Sequence, residues 1–418
     1  MSDSMNDEKR ALVPRLRFPE FREAEEWEKK SLAQVSESIF DGTHQTPTYT
    51  EKGIPFFSVE NIVSGKTNKF ISKDDYEEAT RTNKSEKDDI LLTRIGKIGF
   101  SAIVDWDYEF SIYVTLAVIK KSIKFNSYYL HSYFQSERYQ REIFSKSLLN
   151  AVPCKINMDE LRKTEVLLPG LPEQQKIADC LSSLDALIAA QADKLDALKT
   201  HKKGLMQQLF PREGETIPRL RFPEFREAGE WVSEELSSCL EKVIDYRGKA
   251  PPKSETGVPL ITARNVRFGW LDMSCDEYIE ADEYEEWMSK GIPKAGDILF
   301  TTEAPLGNVA PFPSTGKFAL GQRVITLRTK AKKCLSEFLF QSLLGPRMQN
   351  EIDFHSTGST AKGIKSAVFV KLSFYYPEIA EQQKIADCLS SLDALIAAQT
   401  EKLDALKTTR LPTNPNLL

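Results

Sequence analysis

The sequence predicts a mixed α/β (α+β) fold in two copies, combined with two long antiparallel coiled-coil helices in a pseudo-two-fold internal repeat. The stretch EQQKIADCLSSLDALIAAQADKLDALKT at 173–200 returns at 381–408 with only two substitutions. The stretch PRLRFPEFREA occurs unchanged at 14–24 and 218–228. The longer repeat has helical apolar spacing, and the segments between the repeats have strand-like patterns. A period of about 200 residues is too long for a solenoid and indicates a duplicated domain-plus-helix unit.

The repeats divide the chain of 418 residues into conserved copies and two variable segments that differ widely in sequence. The predicted parts are an N-terminal extended segment (1–26), the first variable segment (27–170), a central helix (171–212), a linker (213–230), the second variable segment (231–378), a distal helix (379–408) and an irregular tail (409–418).

The overall charge does not indicate a protein that binds nucleic acid over its whole surface. The net charge is −5 and the isoelectric point is about 5.7. The first variable segment carries 20 basic and 20 acidic side chains, and the second carries 18 and 19. Contact with nucleic acid therefore requires local basic loops, or a partner that supplies positive charge.

The cysteines and histidines of the chain indicate a reducing compartment. The 6 cysteines form no C-x-x-C pair and the 4 histidines are widely spread, so we expect no metal site and reduced cysteines, as in the cytoplasm. The N-terminal sequence MSDSMNDEKR has no apolar run, and no window reaches the length of a membrane span. We therefore expect no signal peptide and no membrane association.

The longer repeat predicts a heptad seam on each helix, because its apolar residues alternate in steps of about 3 and 4. The seam residues are Ile177, Leu181, Leu184, Ile188, Gln191, Leu195 and Leu198 on the central helix, and Ile385, Leu389, Leu392, Ile396, Gln399, Leu403 and Leu406 on the distal helix. We expect the two seams to pair with each other in antiparallel fashion. A glutamine in each seam either fixes the register or simply tolerates water there, and both interpretations stay open.

The two copies diverge after the repeat. The central helix continues as HKKGLMQQLFP and the distal helix as TTRLPTNPNLL. We expect the distal helix to lack counterparts of Leu205 and Leu209, and to pair with one frayed end.

The two variable segments share a pattern of elements, which predicts one fold. Three matched stretches read as strands, and a fourth reads as a helix capped by Ser127 or Ser336. The matched stretches are GIPFFSVENI (53–62) with GVPLITARNV (257–266), DDILLTRIGKIG (88–99) with GDILFTTEAPLG (296–307), FSIYVTLAVIK (110–120) with FALGQRVITLR (318–328), and SYYLHSYFQSERYQREI (127–143) with SEFLFQSLLGPRMQNEI (336–352).

At matched positions of the two variable segments, the polar residues at strand ends and in loops differ, whereas the apolar residues stay apolar. Two domains that bind different base sequences would require this pattern. Drift on a solvated surface predicts similar changes. Arginine and lysine pair with guanine, and asparagine and glutamine pair with adenine. The candidate DNA contacts are Thr43, His44, Gln45, Arg94, Lys97, Lys155 and Asn157 in the first variable segment, and Tyr246, Arg247, Lys249, Gln322, Arg323, Lys362 and Lys365 in the second.

Common catalytic motifs are absent from the sequence. There is no phosphate-binding G-x-x-x-x-G-K-[ST] loop, no G-x-G-x-x-G, no N-P-P-Y-type motif, no G-x-S-x-G and no H-E-x-x-H. We expect no catalytic residues and no cofactor in this chain. A protein-binding coiled-coil adapter, or a DNA-modifying enzyme with an unusual active site, remain alternatives.

The order of variable segment, E-Q-Q-K-I-A helix, variable segment and E-Q-Q-K-I-A helix resembles the specificity subunit of a type I restriction–modification system. The resemblance covers nearly the whole chain. It implies that each variable segment is a target-recognition domain for one half of a split, asymmetric site in double-stranded DNA, and that the helices set the spacer length. The TTRLPTNPNLL tail departs from the family pattern.

The resemblance also implies partner subunits. Two methylation subunits, which bind S-adenosylmethionine and methylate adenine N6, would dock on the repeated scaffold. Two restriction subunits that use ATP and magnesium would join them.

Overall fold

The computed structural model of the chain describes residues 14, 16–64, 69–246, 250–274, 277–358 and 361–410. The chain divides into two units by its internal contacts. The first unit is Met1–Ala192 with Glu401–Leu418, and the second unit is Asp193–Thr400. Each long helix therefore contributes residues to both units.

The first unit is a mixed α/β structure. Its elements are β1 (Glu28–Ser31), α1 (Leu32–Val35), β2 (Ile39–Asp41), β3 (Tyr49–Thr50), β4 (Ile54–Phe57), α2 (Val59–Ser64), β5 (Phe70–Ile71), α3 (Lys73–Thr80), β6 (Ile90–Thr93), β7 (Ser101–Ile103), β8 (Ser111–Ile112), β9 (Leu116–Ile119), α4 (Ser127–Phe134), α5 (Glu137–Ser145), α6 (Met158–Arg162), β10 (Glu165–Leu168) and the start of α7 (Leu171–Leu209).

The strands of the first unit form an antiparallel sheet in the order β2-β9-β6-β7, a sheet in the order β3-β5-β4-β8 with β4 and β8 parallel, and the ladder β1-β10. Strands β6 and β9 are buried along their whole length, as their continuous apolar sequence indicates. The main core also contains the fully buried rings of Tyr129, Phe134 and Tyr139.

The second unit repeats this architecture with its own residues. Its elements are β11 (Val232–Glu235), β12 (Leu240–Asp245), β13 (Val258–Ile261), β14 (Tyr278–Ile279), α8 (Tyr284–Trp287), β15 (Ile298–Thr301), β16 (Val309–Pro311), β17 (Ala319–Leu320), β18 (Val324–Thr329), α9 (Ser336–Leu344), α10 (Pro346–Phe354), α11 (Ser366–Phe369), β19 (Ser373–Tyr376) and the start of α12 (Ile379–Arg410).

The sheet orders of the second unit are β12-β18-β15-β16, β14-β13-β17 and β11-β19. The pairing of β13 with β17 is parallel, as is that of β4 with β8 in the first unit. Apart from the edge strand β3, which has no counterpart strand among the described residues of the second unit, the two variable segments have one topology. This confirms the predicted mixed α/β fold in two copies.

The fourth matched stretch forms two helices, so the prediction of one helix was wrong. In the first unit the helix is interrupted between α4 and α5, where the Ser136 side chain accepts a hydrogen bond from the Tyr139 amide. In the second unit the break is at Gly345, and Pro346 begins α10. The predicted caps were also wrong. Asn126 caps α4 by accepting from two amides, and Leu335, at the cap position of α9, makes no side-chain cap bond.

Two other predicted strands are interrupted. The stretch 110–120 contains the separate strands β8 and β9, because the chain turns between Ile112 and Leu116 and each strand joins a different sheet. The stretch 53–62 continues after β4 into α2.

The repeated sequences form the same buried clamp in each unit. Arg17 donates from Nε and Nη2 to the two carboxylate oxygens of Glu173 at 2.8 and 2.7 Å, and also donates to the carbonyls of Ala24 and Glu25. In the second unit Arg221 donates to both oxygens of Glu381 at 2.7 Å. The clamp joins each R-F-P-E-F segment to the first turn of a long helix, by a bidentate and charge-assisted contact.

The first glutamine of E-Q-Q-K makes a second connection. Gln174 accepts from the Asn126 amide at 2.9 Å and donates to the Pro169 carbonyl at 2.8 Å. Gln382 accepts from the Leu335 amide at 2.9 Å and donates to the Pro377 carbonyl at 2.8 Å. The repeated sequences thus make the same contacts in both units.

The predicted seam positions lie on one side of each long helix. All fourteen are buried or half-buried, whereas most neighbouring positions are exposed. Gln399 is buried and Gln191 is half-buried.

The helices run antiparallel. Within the first unit, Asp185 of α7 forms an ion pair with Arg410 at the end of α12, at 2.7 Å. Within the second unit, Lys202 near the end of α7 pairs with Asp393 of α12 at 2.6 Å. Asp185 corresponds to Asp393 in the repeat, and Lys202 to Arg410, so one contact occurs twice with a lysine-to-arginine exchange.

The ends of the helices differ from the prediction. Helix α12 remains helical through Arg410, and its last turn carries the ion pair with Asp185. Leu209 of α7 packs with Phe210 in the core of the second unit, where Phe210 stacks on Phe338. The end of α7 is therefore part of a domain core. The residues 411–418 lie outside the described part of the chain.

Candidate nucleic-acid interface

Backbone hydrogen bonds bring several predicted contact loops of the first unit together. The first loop cluster is defined as residues 41–46, 94–99, 113–115 and 154–157. The Arg94 amide donates to the Thr115 carbonyl, and the Ile156 amide donates to the Arg94 carbonyl, both at 2.9 Å. The Val114 amide donates to the Thr43 carbonyl at 3.0 Å. Loops distant in sequence thus form one surface.

The second unit uses the same backbone pattern. The second loop cluster is defined as residues 302–307, 321–323 and 362–365. The Thr302 amide donates to the Arg323 carbonyl at 3.1 Å, and the Ile364 amide donates to the Thr302 carbonyl at 2.9 Å. Thr302 is the counterpart of Arg94, so both clusters are joined through the same position.

A glycine closes the same hairpin in each unit. Gly99 and Gly307 have φ values of 88 and 84°, a conformation that favours glycine. A Cβ atom at either position would lie 2.8 Å from the Oε1 atom of Gln140 or Gln349. Each glutamine donates to the carbonyl of its glycine at 3.0 Å. The hairpin geometry is therefore constrained equally in the two clusters.

Arg94 is a structural residue of the first loop cluster. It is only 6% exposed, and its guanidinium donates to the carbonyls of Val114 and Ile156 and to the Asp41 carboxylate. Burial lowers the pKa of Arg94, and the Asp41 charge opposes that effect. Its Nε and Nη1 donors are bonded within the protein, so Arg94 positions the loops, and its predicted contact with DNA stays a prediction.

The other candidates in the first unit are accessible. His44, Gln45, Lys97 and Asn157 are exposed, and Thr43 and Lys155 are half-buried. The Thr43 hydroxyl accepts from the Gln45 amide at 3.3 Å, and Asn157 occupies the cap position of α6 without making a side-chain cap bond. No partner for the ammonium groups of Lys97 and Lys155 occurs among the residues that the structure describes. Both remain predicted contacts.

Tyr246 is the second predicted contact that the structure buries. It is 3% exposed, stacks on Trp287 at 5.7 Å between ring centroids, and donates its hydroxyl to the Gly291 carbonyl. Burial raises the pKa of Tyr246 to about 12. It is a core residue and does not present its side chain to a ligand. Arg247 and Lys249 lie outside the described residues.

The remaining candidates of the second unit lie on the second loop cluster. Arg323, Lys362 and Lys365 are exposed, and Gln322 is half-buried. Arg323 pairs with Glu303 at 2.8 Å, and Lys362 pairs with Asp353 at 2.5 Å. Basic side chains of this cluster are thus often neutralised within the protein.

The sequence interpretation missed several charged residues beside these loops. A cleft of about 310 Å³ is lined by Gln322 and Arg323 together with Lys253, Arg264 and Glu277. Glu277 pairs with both Lys253 and Arg264. In the first unit, Asp41 connects Arg94 with His44. The position of Asp41 directly before the G-T-H-Q turn was the available signal for its role.

The described residues contain no group of three or more histidine, cysteine, aspartate or glutamate side chains arranged to hold a metal ion. Among the helices of this part of the chain, none is long and apolar enough to span a membrane.

The duplicated mixed α/β unit is the arrangement that a family comparison also finds in this chain. The type I restriction modification DNA specificity domain matches residues 24–200 and 239–408. The chain belongs to this family, whose members recognise DNA target sequences.

The chain is similar to two curated specificity subunits of Methanocaldococcus jannaschii type I restriction enzymes. It is 27% identical to the MjaX subunit, with 92% of this chain and 90% of that protein covered. It is 24% identical to the MjaVIII subunit, with 84% and 82% covered.

Two solved structures share the fold. The S subunit of a type I restriction–modification system from M. genitalium aligns with a TM-score of 0.59 at 14% identity, covering 97% of this chain and 98% of that one. A chain from a study of complex assembly and conformational transition of the type I system aligns with a TM-score of 0.55 at 15% identity, covering 92% and 95%.

Proposed function

We propose that each unit of this specificity subunit recognises one half of a bipartite, asymmetric site in double-stranded DNA. One observation carries the proposal: the same backbone hydrogen-bond pattern joins two loop clusters whose side chains differ. Arg94 of the first cluster corresponds to Thr302 of the second, and Lys155 corresponds to Gly363. A fixed backbone with exchanged donors and acceptors suits the recognition of two base sequences.

Replacement of residues 27–170 by the equivalent segment of a relative tests this proposal. We expect the methylated sequence in a host that carries the complete system to change in one half only, as read by methylation-sensitive long-read sequencing. A change in both halves, or in neither, would contradict the proposal.

We further propose that α7 and α12 set the spacer between the half-sites. One heptad lengthens a helix by about 10.5 Å, which corresponds to about three base pairs of B-DNA. Insertion of one heptad after both Gln191 and Gln399 should therefore lengthen the spacer and leave the half-sites unchanged. An unchanged spacer in a folded variant would refute this role.

We propose two methylation subunits and two restriction subunits as partners. The repeated helices support the first pair, because each offers an exposed leucine outside the seam, Leu187 at 41% and Leu395 at 54% exposure. We assign S-adenosylmethionine to the methylation subunits and ATP with magnesium to the restriction subunits. Leu187→Glu and Leu395→Glu should each remove one methylation subunit in native mass spectrometry. Retention of both subunits by the double variant would contradict this docking face.

We propose that the chain itself is not catalytic. The purified chain, incubated with DNA and either S-adenosylmethionine or magnesium, should neither methylate nor cleave the DNA. Turnover at a rate that follows the concentration of this chain would favour a DNA-modifying enzyme.

A further inference from the structure

We propose that His44 and Arg323 determine specificity, each held by a carboxylate, and that they present opposite hydrogen-bonding groups to the bases. His44 would present an acceptor from the first loop cluster, and Arg323 would present donors from the second. The inference rests on the proposed function, because it assigns individual roles within the two loop clusters.

The geometry of His44 fixes which ring nitrogen carries hydrogen. Its Nε2 atom lies 3.1 Å from Oδ2 of Asp41. An ionised carboxylate only accepts hydrogen bonds, so Nε2 donates, and in the neutral ring Nδ1 is an acceptor. The His44 side chain is 74% exposed. The ring is therefore held on one side and open to a ligand on the other.

The support of His44 extends into the protein. Asp41 Oδ2 also accepts from Nη1 of Arg94 at 3.0 Å, and the Asp41 side chain is mostly buried. Arg94 in turn donates to the carbonyls of Val114 and Ile156. His44 is thus connected through Asp41 to a buried guanidinium that joins three loops, and an exposed side chain gains a defined orientation.

Arg323 has a corresponding support in the second unit. Its Nε atom donates to Oε1 of Glu303 at 2.8 Å. Its carbonyl accepts from both the amide and the hydroxyl of Thr302, at 3.1 and 3.3 Å. The terminal Nη groups have no partner among the described residues. A guanidinium held at Nε keeps its two-pronged end available for a ligand.

The two side chains select different bases. The Nδ1 acceptor of His44 suits an amino group in the major groove, which cytosine presents at N4 and adenine at N6. The Nη groups of Arg323 suit the O6 and N7 acceptors of guanine. We therefore assign a cytosine or adenine contact to the first half-site and a guanine contact to the second.

The experiment uses the complete system and reads the methylated sequence motif. His44→Ala should reduce discrimination at one position of the first half-site by roughly 10- to 100-fold, and Arg323→Ala should do the same in the second half-site. Each variant should leave the other half-site unchanged, so the two variants control each other.

The positioning role of the carboxylates has its own readout. Asp41→Ala should lose the same base preference as His44→Ala, whereas Asp41→Asn should retain it, because an amide oxygen still accepts from Nε2. Glu303→Ala should likewise lose the base preference that Arg323 gives, whereas Glu303→Gln should retain it. Lys29→Ala, which breaks an exposed ion pair with Glu165, is the matched control and should leave the motif unchanged.

Two results would overturn the inference. One is an unaltered motif in both His44→Ala and Arg323→Ala. The other is a lowered melting temperature for Asp41→Ala and Glu303→Ala with base preference retained, since that would show a purely structural role. Failure of the proposed function is distinguishable, because replacement of residues 27–170 would then also leave the motif unchanged.

Discussion

The two units share their backbone but join their loops with different chemistry. In the first unit a buried arginine, Arg94, connects three loops through its side chain. In the second unit the side chain of the equivalent Thr302 adds only one bond, from its hydroxyl to the Arg323 carbonyl, to the backbone bonds that both units share. The difference teaches that the backbone pattern does not depend on one side chain, so the loops can exchange polar residues without a change of fold.

The units also differ in the state of their basic side chains. Lys97 and Lys155 of the first unit and Lys365 of the second have no partner among the described residues, whereas Arg323 and Lys362 of the second are paired with acids. An unpaired lysine can neutralise a phosphate directly. A paired one must first exchange its partner.

The largest predicted effect tests whether the duplicated clamps are equivalent. Arg17→Ala and Arg221→Ala each leave a buried carboxylate without its partner, which costs about 3–5 kcal/mol in typical cases. Because the Arg–Glu contacts match, hydrogen exchange should accelerate by a comparable factor in β10 for the first variant and in β19 for the second. Glu173 keeps one further bond at 3.4 Å, from Trp27 Nε1, that the equivalent Trp231 does not make. A loss of protection in only one of the two strands would contradict the equivalence of the clamps, and Lys29→Ala should change protection by no more than about 1 kcal/mol.

An intermediate effect concerns acid, and it should separate the two units. His131 accepts from Gln135 and donates to Ser101, both at 2.9 Å. Burial, assisted by the charge of Arg410 and opposed by that of Asp185, lowers the pKa of His131 to about 4. In the second unit the equivalent residue is Phe340.

The sign of the pH dependence follows from this lowered pKa. An unfolded histidine has a pKa of about 6.5, so below that pH the unfolded chain binds more protons than the folded one. As the pH is lowered from about 6.5 to about 4, the free energy of unfolding of the first unit should therefore fall, by at most about 1.4 kcal/mol per pH unit. His131→Phe should remove this component in urea titrations across that pH range. An unchanged pH dependence would show that His131 is not the group responsible.

The smallest predicted effect concerns salt. The logarithm of the binding constant falls as the logarithm of the salt concentration rises. If Lys97 neutralises one phosphate, Lys97→Ala should reduce the magnitude of this slope by about 0.9. Asp353→Asn should increase that magnitude, because it releases Lys362 from its ion pair. Fluorescence anisotropy at several salt concentrations measures both. Identical slopes for wild type and Lys97→Ala would exclude a phosphate contact.

Sequence periodicity was sufficient to predict the long helices and the buried strands. The seam of α7 follows from the spacing of residues such as Leu181 and Leu195, and β6 follows from its apolar run. The helix caps could not be read locally, because Ser127 and Asn126 are equally suitable by type and only the fold selects Asn126.

The functional residues were harder to predict, because burial depends on tertiary structure. Arg94 and Tyr246 have the chemistry of DNA contacts, but their environments commit them to the protein interior. Asp41 and Glu303 were missed for the opposite reason. An acidic side chain repels phosphate, so its residue type did not indicate that it holds His44 or Arg323.

The central claim is that two units on a duplicated scaffold each recognise their own half-site. It is tested most directly by a chain that carries the second variable segment in both positions, assembled with its partners in a host. Long-read sequencing of the methylated DNA should then show an inverted repeat of the second half-site with the original spacer. A motif that remains asymmetric and keeps the first half-site would contradict the account.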